Sequence, residues 1–524
     1  MPDPAPRETA TWMPYGDAVA ARFPPPPLRY LTPGLEPGRA SFTTDDELRD
    51  LLGRLAAQPA PGVSARVVEV GRSQRGVPLV ALLLAREPGA TPEALARSAR
   101  PTVLLVGQQH GDEPAPGEAL LVLAQELARG RLSPLLERIN VALMPRANPD
   151  GALAGRRVLF NALDVNRDHL LLRTPEAQAL AALARDLRPA LVIDAHEYTV
   201  VGRYLDKFDA VQRFDVLLQY ATTANLPPAL TEASERRFHQ PLREALAREG
   251  LAAEWYYTTS THVADKRVSM GGVQPDTGRN VSGLKNAVSF LVETRGVGIG
   301  RLHLMRRVHT HVVAAESLLR SAAREPDTLL AMRRQVEADV AAQACRGEFV
   351  VEAAATPTRY ALTMLDPETG ADKVVDVDWN SSLQLRPLKT RARPCGYWLA
   401  ADATAVVERL RWLGADVRRF AAPATVQAER WRETERAESA RADVRGTIAD
   451  AAPALRVQVA LEPQALQVPA GSWYVPLDQP LANLLLAAFE PDTQNGWYAN
   501  RLLGSLQQAA RVMAPPAARF EPAP

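Results

Sequence analysis

Two patterns of apolar residues alternate along the first part of the chain. Short continuous apolar runs indicate buried strands, and they occur in PTVLLVGQQ (101–109), INVALMP (139–145), PALVIDAH (189–196) and NAVSFLVETRG (286–296). Segments with helical spacing lie between or after them, in GEALLVLAQELARG (117–130), PEAQALAALARDL (175–187) and LHLMRRVHTHVVAAESLLR (302–320). Strands that alternate with helices predict a mostly parallel sheet covered by helices on both faces.

The pattern divides the chain into three parts. Residues 1–42 form a Pro-rich lead-in that we expect to be extended, and a helix begins at Thr43 or Thr44, where an N-cap residue precedes acidic positions. Residues 43–325 carry the alternating strands and helices, starting with two strands in 65–86. Residues 326–524 open on a charged helix and continue as short strands with turns, which predicts a C-terminal α+β domain of unassigned role. The heavily charged stretch 428–446 predicts a solvated helix or loop.

Composition excludes several classes of partner. A chain of 524 residues exceeds what one hydrophobic core usually organises, so two domains are expected. The formal net charge of +1 provides no bulk field for nucleic acid, so we expect no nucleic-acid partner. No apolar run approaches the roughly 20 residues that span a bilayer, so no membrane span is expected. The sequence leaves the oligomeric state open.

Three residues at the ends of apolar runs suggest a metal site. His110 and Glu113 follow one run in QQHGDEP, and His196 ends another in DAH. Because ligands in α/β folds bind beyond the carboxyl ends of the strands, we expect these side chains to meet. Two imidazoles and one carboxylate leave the fourth position of a tetrahedral zinc ion open for water, as in catalytic sites. His309 and His311 lie two positions apart on a predicted helix, face different directions, and are not expected to be ligands.

The order of these motifs resembles that of the zinc carboxypeptidase (funnelin) family. The matching pieces are HGDE (110–113), ANPDG (147–151), NALDVNRD (161–168), DAH (194–196) and FLVETRG (290–296), spread over about residues 43–320. The resemblance implies a three-layer α/β/α sandwich with a mixed, mostly parallel sheet. It also implies one Zn²⁺ per chain and hydrolysis of the C-terminal peptide bond of a peptide by a zinc-activated water.

The resemblance assigns roles to further residues. Glu293 matches the family's general base, and a carboxylate at the end of an apolar strand needs a metal or water network to receive it; the alternative is an ion pair with Arg295. Asn166 and Arg167 match the pair that binds the substrate's terminal carboxylate, for which a guanidinium offers a planar two-point fit. The pairing of Arg167 with Asp168 on the surface is the alternative.

Three more assignments surround the expected metal. Stabilisation of the oxyanion requires a positive charge upstream of the Asn-Arg pair, and the doublet Arg156–Arg157 offers two candidates, of which we prefer Arg157. Asp164 matches the acid that accepts a hydrogen bond from a ligand histidine, which we expect to be His110. Glu197 points away from the site if its strand persists and receives no role.

The resemblance breaks down in 264–293. This stretch contains no counterpart of the tyrosine that closes over substrate in digestive members, and Tyr256 and Tyr257 lie further back. Arg279 lies in the stretch that shapes the side-chain pocket in the family. We expect it either to favour a C-terminal residue that carries a carboxylate or to pair with Asp276.

Three functions remain open at this stage. The first is a zinc metallocarboxypeptidase, and the second is a zinc amidohydrolase that deacylates N-acyl amino acids, since both substrates carry a free carboxylate. The third is a non-catalytic, zinc-retaining, peptide-binding envelope protein. The polar N-terminal lead-in is typical of a mature exported chain and favours a periplasmic or secreted protein over a cytoplasmic one. Cys345 and Cys395 are either bridged or two buried thiols.

Overall fold

The computed structural model describes residues 14–86, 89–450 and 452–521. The first 13 residues of the predicted lead-in lie outside the described part. From Pro14 onward the lead-in is packed rather than free, because Tyr15, Val19 and Phe23 are buried in one apolar cluster. That cluster also contains Tyr198 and residues of the C-terminal segment.

Fourteen α-helices occur in the described ranges. They are α1 (Asp17–Ala20), α2 (Asp45–Ala57), α3 (Pro92–Arg97), α4 (Pro114–Ala128), α5 (Pro149–Ala154), α6 (Pro175–Leu187), α7 (Arg203–Phe208), α8 (Pro228–Ala233), α9 (Gln240–Arg248), α10 (Gly278–Leu284), α11 (Leu304–Arg324), α12 (Pro326–Ala342), α13 (Thr404–Leu413) and α14 (Ala482–Phe489). A π-helical segment, Ser234–His239, joins α8 to α9. Short 3-10 turns cover Pro33–Leu35, Ser133–Glu137, Val165–Arg167 and Leu506–Gln508.

The strands of the part before residue 326 number ten in the described ranges. They are β1 (Val63–Arg72), β2 (Pro78–Arg86), β3 (Thr102–Gly107), β4 (Asn140–Met144), β5 (Leu191–Thr199), β6 (Val216–Tyr220), β7 (Ala253–Trp255), β8 (Tyr257–Thr259), β9 (Arg267–Met270) and β10 (Val288–Val297). Eight of them form one mixed sheet in the order β1-β2-β4-β3-β5-β10-β6-β7. The predicted α/β fold with a mixed, mostly parallel sheet is confirmed.

The remaining strands make the C-terminal segment strand-rich. They are β11 (Glu348–Leu365), β12 (Asp372–Ala392), β13 (Gly396–Leu399), β14 (Arg418–Phe420), β15 (Ala424–Ser439), β16 (Ala442–Asp443), β17 (Gly446–Thr447), β18 (Ala454–Val468), β19 (Trp473–Pro476), β20 (Ala509–Val512) and β21 (Phe520–Glu521). Seven of them form a second sheet, β18-β15-β20-β13-β19-β14-β21. The expectation of a helix or loop in 428–446 is wrong, because most of this charged stretch belongs to β15, which pairs along its length with β18.

Helices cover both faces of the main sheet in two groups. On one side α11 packs against α4 and α9, and α2 packs against α4; on the other, α6 packs against α3 and α13. The expected helix start is found at α2, where Thr44 and Glu47 form a reciprocal capping box. The helix α13 comes from the C-terminal segment, so that segment completes one of the helical layers.

The C-terminal segment is also joined to the earlier part through strand pairing. Strand β12 pairs in parallel with β9, with Trp379 opposite Val268, and extends a four-stranded sheet in the order β11-β12-β9-β8. The two cysteines, whose state the sequence left open, form a disulfide bond, Cys345–Cys395, near the open end of the β11–β12 hairpin. The division at residue 325 therefore runs through a continuous core, whose largest apolar cluster contains both Val192 and Phe489.

Candidate active site

The turn that follows β3 brings two polar side chains to the edge of the sheet. His110 and Glu113 are buried, and Glu113 directly precedes α4. Gly111 between them has no room for a side chain, since a Cβ there would lie 2.0 Å from the carbonyl carbon of Gly151 in α5. The sequence HGDE thus folds into a tight turn because α5 presses on it.

His196 completes a convergent group of donor atoms. The Nδ1 atoms of His110 and His196 lie 3.0 Å apart, His110 Nδ1 lies 2.7 Å from Glu113 Oε1, and His196 Nδ1 lies 3.0 Å from Glu113 Oε2. In the described ranges, no other group of three histidine, cysteine or acidic side chains converges closely enough to hold a metal ion. Two imidazole nitrogens and a carboxylate that face one point are the donor set that Zn²⁺ takes in catalytic sites, so the residues present fit this ion.

The outer nitrogens of both histidines face carboxylates. His110 Nε2 lies 3.1 Å from Asp164 Oδ1, which is the contact expected from the sequence. His196 Nε2 lies 2.8 Å from Asp194 Oδ1, and this acid was not singled out from the sequence. Each carboxylate fixes the orientation of its ring and leaves Nδ1 to face the common point. Asp194 lies two positions before His196 in β5, which was the available signal, because such residues share one face of a strand.

Glu293 lies beside this group on the neighbouring strand. In the parallel pairing of β10 with β5, Glu293 stands directly opposite His196. Its carboxylate lines the cleft, and it makes no hydrogen bond or ion pair with any described residue. Burial raises the pKa of Glu293 to about 7. The alternative of an ion pair with Arg295 is not formed, since the Arg295 guanidinium donates to the carbonyls of Gln212 and Phe214 instead.

The structure separates the two members of the arginine doublet. Arg157 donates through Nη2 to Asp164 Oδ2 at 2.9 Å, and its Nη1 lies 3.4 Å from Glu113 Oε1. Its guanidinium therefore borders the metal ligands. Arg156 is exposed, and it is absent from the cleft wall.

Asn166 and Arg167 both line the cleft, on the short turn that follows Asp164. The Asn166 side chain is oriented by the backbone N–H of Gly278, which donates to its Oδ1 at 2.8 Å, and its Nδ2 lies 3.2 Å from His196 Nε2. Arg167 does not pair with Asp168; its Nε donates to Asp443 Oδ2 at 3.0 Å.

Arg279 is a cation of the cleft wall that forms no ion pair with any described residue. It is 4% exposed, donates through Nη2 to the carbonyl of Gly272 at 2.7 Å, and its Nε has no partner among the described residues. Burial lowers the pKa of Arg279 to about 10. The alternative pairing with Asp276 is not formed, since Asp276 accepts from Arg441 instead.

The cleft contains about 590 Å³ of empty space, part of which is open to solvent. Its wall contains His110, Glu293, the arginines at 157, 167 and 279, and Tyr256. Three further wall residues, Asp443, Val444 and Arg445, come from the C-terminal segment. Tyr256 thus reaches the cleft although it precedes the expected stretch, whereas Tyr257 is buried against Trp379. Sequence reasoning missed the contribution of 443–445 altogether.

Comparison with known proteins agrees with this geometry. The family model for zinc carboxypeptidases matches residues 56–170. Carboxypeptidase 2 of Trichophyton rubrum is 26% identical over 468 residues, which cover 88% of this chain and 84% of the fungal protein. Human carboxypeptidase D is 39% identical over 127 residues, 20% of this chain and 9% of that protein. The chain is similar to zinc carboxypeptidases, by the family model over residues 56–170 and by the fungal relative over most of its length.

A solved structure also shows a resemblance. The metallo-carboxypeptidase of Pseudomonas aeruginosa aligns with a TM-score of 0.39 and 20% sequence identity, over 56% of this chain and 74% of that one. Zinc carboxypeptidases are metallopeptidases, and the resemblance to them expected from the motifs is confirmed.

Other polar residues that the sequence brought up lie outside the cleft. His309 Nδ1 lies 2.7 Å from the Tyr30 hydroxyl, and His311 Nε2 lies 2.9 Å from Thr294 Oγ1. Glu197 forms a fully buried two-point ion pair with Arg307 of α11, with N–O distances of 2.7 and 2.9 Å. It also accepts the backbone N–H of Ala115, so it fastens the start of α4 to α11.

Proposed function

We propose that this protein is a zinc-dependent metallocarboxypeptidase that removes the C-terminal residue of peptides, with Glu293 as the general base. The observation that carries the proposal is the free carboxylate of Glu293 beside three convergent metal donors. A buried carboxylate without a partner is costly, and such a group is retained where chemistry uses it. A purely structural acid would be paired, as Glu197 is.

His110, Glu113 and His196 would hold the zinc ion. When bound there, zinc lowers the pKa of a coordinated water and polarises a carbonyl. Glu293 is placed to accept a proton from the attacking water and to return it to the leaving amine, and a pKa near 7 suits a base that must both take and give a proton at neutral pH. Arg157 adds a positive charge beside the ligands, where an oxyanion would develop.

The terminal carboxylate of the peptide would be bound by Arg167. The substrate class is refined by Arg279, whose buried guanidinium lacks a carboxylate partner among the described residues. Leaving a cation buried and unpaired is unfavourable, so a substrate that brings its own carboxylate gains more there than a neutral one. We therefore propose a preference for peptides that end in Glu or Asp.

The disulfide bears on the cellular compartment of the protein. Disulfides persist in oxidising environments, so the Cys345–Cys395 bond supports a periplasmic or secreted protein. Separately, no helix in the described ranges is both long and apolar enough to cross a bilayer.

The test is mass spectrometry of a mixed library of peptides and N-acyl amino acids after incubation with the protein, with and without a metal chelator. The proposal expects peptides shortened one residue at a time from the C-terminus, and no shortening with chelator present. Release of free amino acids from N-acyl amino acids alone would instead identify a deacylase. Unchanged substrates would show that the site is not catalytic.

A further inference from the structure

A small hairpin of the C-terminal segment enters the cleft wall. It consists of β16 and β17, which pair through Ala442 and Thr447, with Val444 and Arg445 at the turn. It follows directly on β15, whose outer half is exposed. The hairpin is therefore a projection from the second sheet, and its tip is part of the cleft.

Asp443 in this hairpin contacts the predicted carboxylate anchor. Its Oδ2 accepts from both Nε and Nη2 of Arg167, the former at 3.0 Å. Its Oδ1 accepts the backbone N–H of Arg445 at 2.7 Å, which fixes the carboxylate within its own turn. Although burial opposes it, the Arg167 guanidinium lowers the pKa of Asp443, so the pair is ionised at neutral pH.

Hydrogen bonds of Arg441 and Ala442 hold the hairpin in place. Arg441 is fully buried and donates through Nη2 to the backbone carbonyl of Arg167 and to Asp276 Oδ2, each at 2.9 Å. The backbone of Ala442 exchanges two hydrogen bonds with the Gln494 side chain, at 3.2 and 3.0 Å. Residues 441–443 thus contact both the backbone and the side chain of Arg167.

The contacts of Arg167 leave part of its guanidinium free. A guanidinium has five N–H groups. Two nitrogens, Nε and Nη2, donate to Asp443, and Nη1 donates to the carbonyl of Asn166 at 2.6 Å. One N–H on each terminal nitrogen remains without a partner among the described residues. We call these two N–H groups the free fork of Arg167, since a guanidinium can receive a carboxylate through one N–H of each terminal nitrogen.

We propose that Asp443 is a positioning residue for substrate binding, which holds the Arg167 guanidinium so that its free fork receives the terminal carboxylate of the peptide. This inference rests on the proposed function of the cleft, since it concerns the same anchor. It gives the C-terminal segment a role in the site: the hairpin supplies a carboxylate that no residue of the first 325 supplies to Arg167 in the described structure.

A residue that positions Arg167 and a residue that blocks it predict opposite effects on the binding of the substrate carboxylate. If Asp443 stood where the substrate carboxylate must go, its removal would strengthen binding. Asp443 occupies Nε and one N–H of Nη2, the Asn166 carbonyl occupies one N–H of Nη1, and one N–H on each terminal nitrogen stays free. A positioning role therefore predicts weaker binding when Asp443 loses its charge.

The experiment compares Asp443→Asn with the control variant Glu438→Gln. The control neutralises a half-exposed acid of β15 that pairs with Arg501. The probes are N-acetylphenylalanine, which has one free carboxylate, and N-acetylphenylalanine amide, which has none. We expect the Kd of the acid to rise about ten-fold in Asp443→Asn, the size expected for a weakened charge-assisted contact. The Kd of the amide and the zinc content stay unchanged, and Glu438→Gln behaves as wild type.

With peptides as substrates, KM should rise by a similar factor while kcat stays within about two-fold. An unchanged or lower Kd for the acid overturns the inference, as does an equal loss for acid and amide. If the wild type binds both probes as expected but shortens no peptide, the proposed function fails while the positioning role stands.

Discussion

At the scale of single residues, the account depends on Glu293. It is the one unpaired acid beside the metal donors in the described part of the cleft, and a glutamine there keeps the shape but cannot accept a proton. We expect Glu293→Gln to reduce kcat by about 10² to 10⁴-fold, the range attributed to general acid–base catalysis, with zinc content unchanged. Steady-state kinetics and metal analysis on the purified variant measure both.

The matched control is Glu462→Gln, which removes an exposed acid of β18 that pairs with Arg432 of β15. It should retain wild-type kcat. Turnover of Glu293→Gln within a few-fold of wild type would show that another group takes the proton.

Arg279 provides a second test at this scale. Replacing it with glutamine removes an unpaired buried cation, so the ratio of kcat/KM for C-terminal Glu over C-terminal Phe should fall about ten-fold. The free energy of unfolding should not decrease, because no carboxylate in the described part of the chain pairs with Arg279 and would be left behind. Release of Glu, Phe and Lys from otherwise identical peptides measures the preference, and an unchanged ratio removes Arg279 from the side-chain pocket.

The residues of the site differ in how far the sequence could predict them. His110 and Glu113 share one turn and His196 lies in the neighbouring strand β5, so position along the chain was enough to bring them together. Asp194 carried a local signal that was not used. Asp443 carried none, because it pairs with a residue 276 positions away and lies in a charged stretch without a motif.

At the scale of elements, the attachment of α4 to α11 depends on Glu197, so a single substitution can weaken it. Glu197 and Arg307 are fully buried and paired at two points. Glu197→Gln leaves Arg307 as a buried charge without an acid, so the free energy of unfolding should fall by about 3 to 5 kcal/mol. Urea denaturation monitored by circular dichroism measures it.

Glu316→Gln is the comparison for that variant, since Glu316 pairs with Arg131 and Arg320, both of which are largely exposed. Its effect should stay near 1 kcal/mol or below. Equal losses in the two variants would mean that burial of the Glu197–Arg307 pair does not control its contribution.

Secondary structure was predictable where an element lies against the core. The strands β3, β5 and β10 and the helices α6 and α11 were predicted correctly because one or both of their faces are buried. The strand β15 was missed because its outer half pairs with β18 but exposes both faces, so its charges show no alternation. Backbone pairing stabilises such a ribbon, and side-chain pattern does not record it.

At the scale of the whole molecule, the C-terminal segment is built into the structure that surrounds the cleft. It contributes α13 to one helical layer, β12 to the small sheet and the hairpin 442–447 to the cleft. The sequence predicted a strand-rich segment, but its placement depends on contacts between distant parts of the chain, and no periodicity of either part specifies them. The expected separation into two units at residue 325 stays a prediction about folding.

The most direct test of the account is an anomalous difference map from crystals of the zinc-loaded protein, recorded on both sides of the zinc absorption edge. The account predicts one peak per chain, about 2.0 to 2.2 Å from Nδ1 of His110, Nδ1 of His196 and a carboxylate oxygen of Glu113. No peak at these three side chains, or a peak held by other residues, would contradict it.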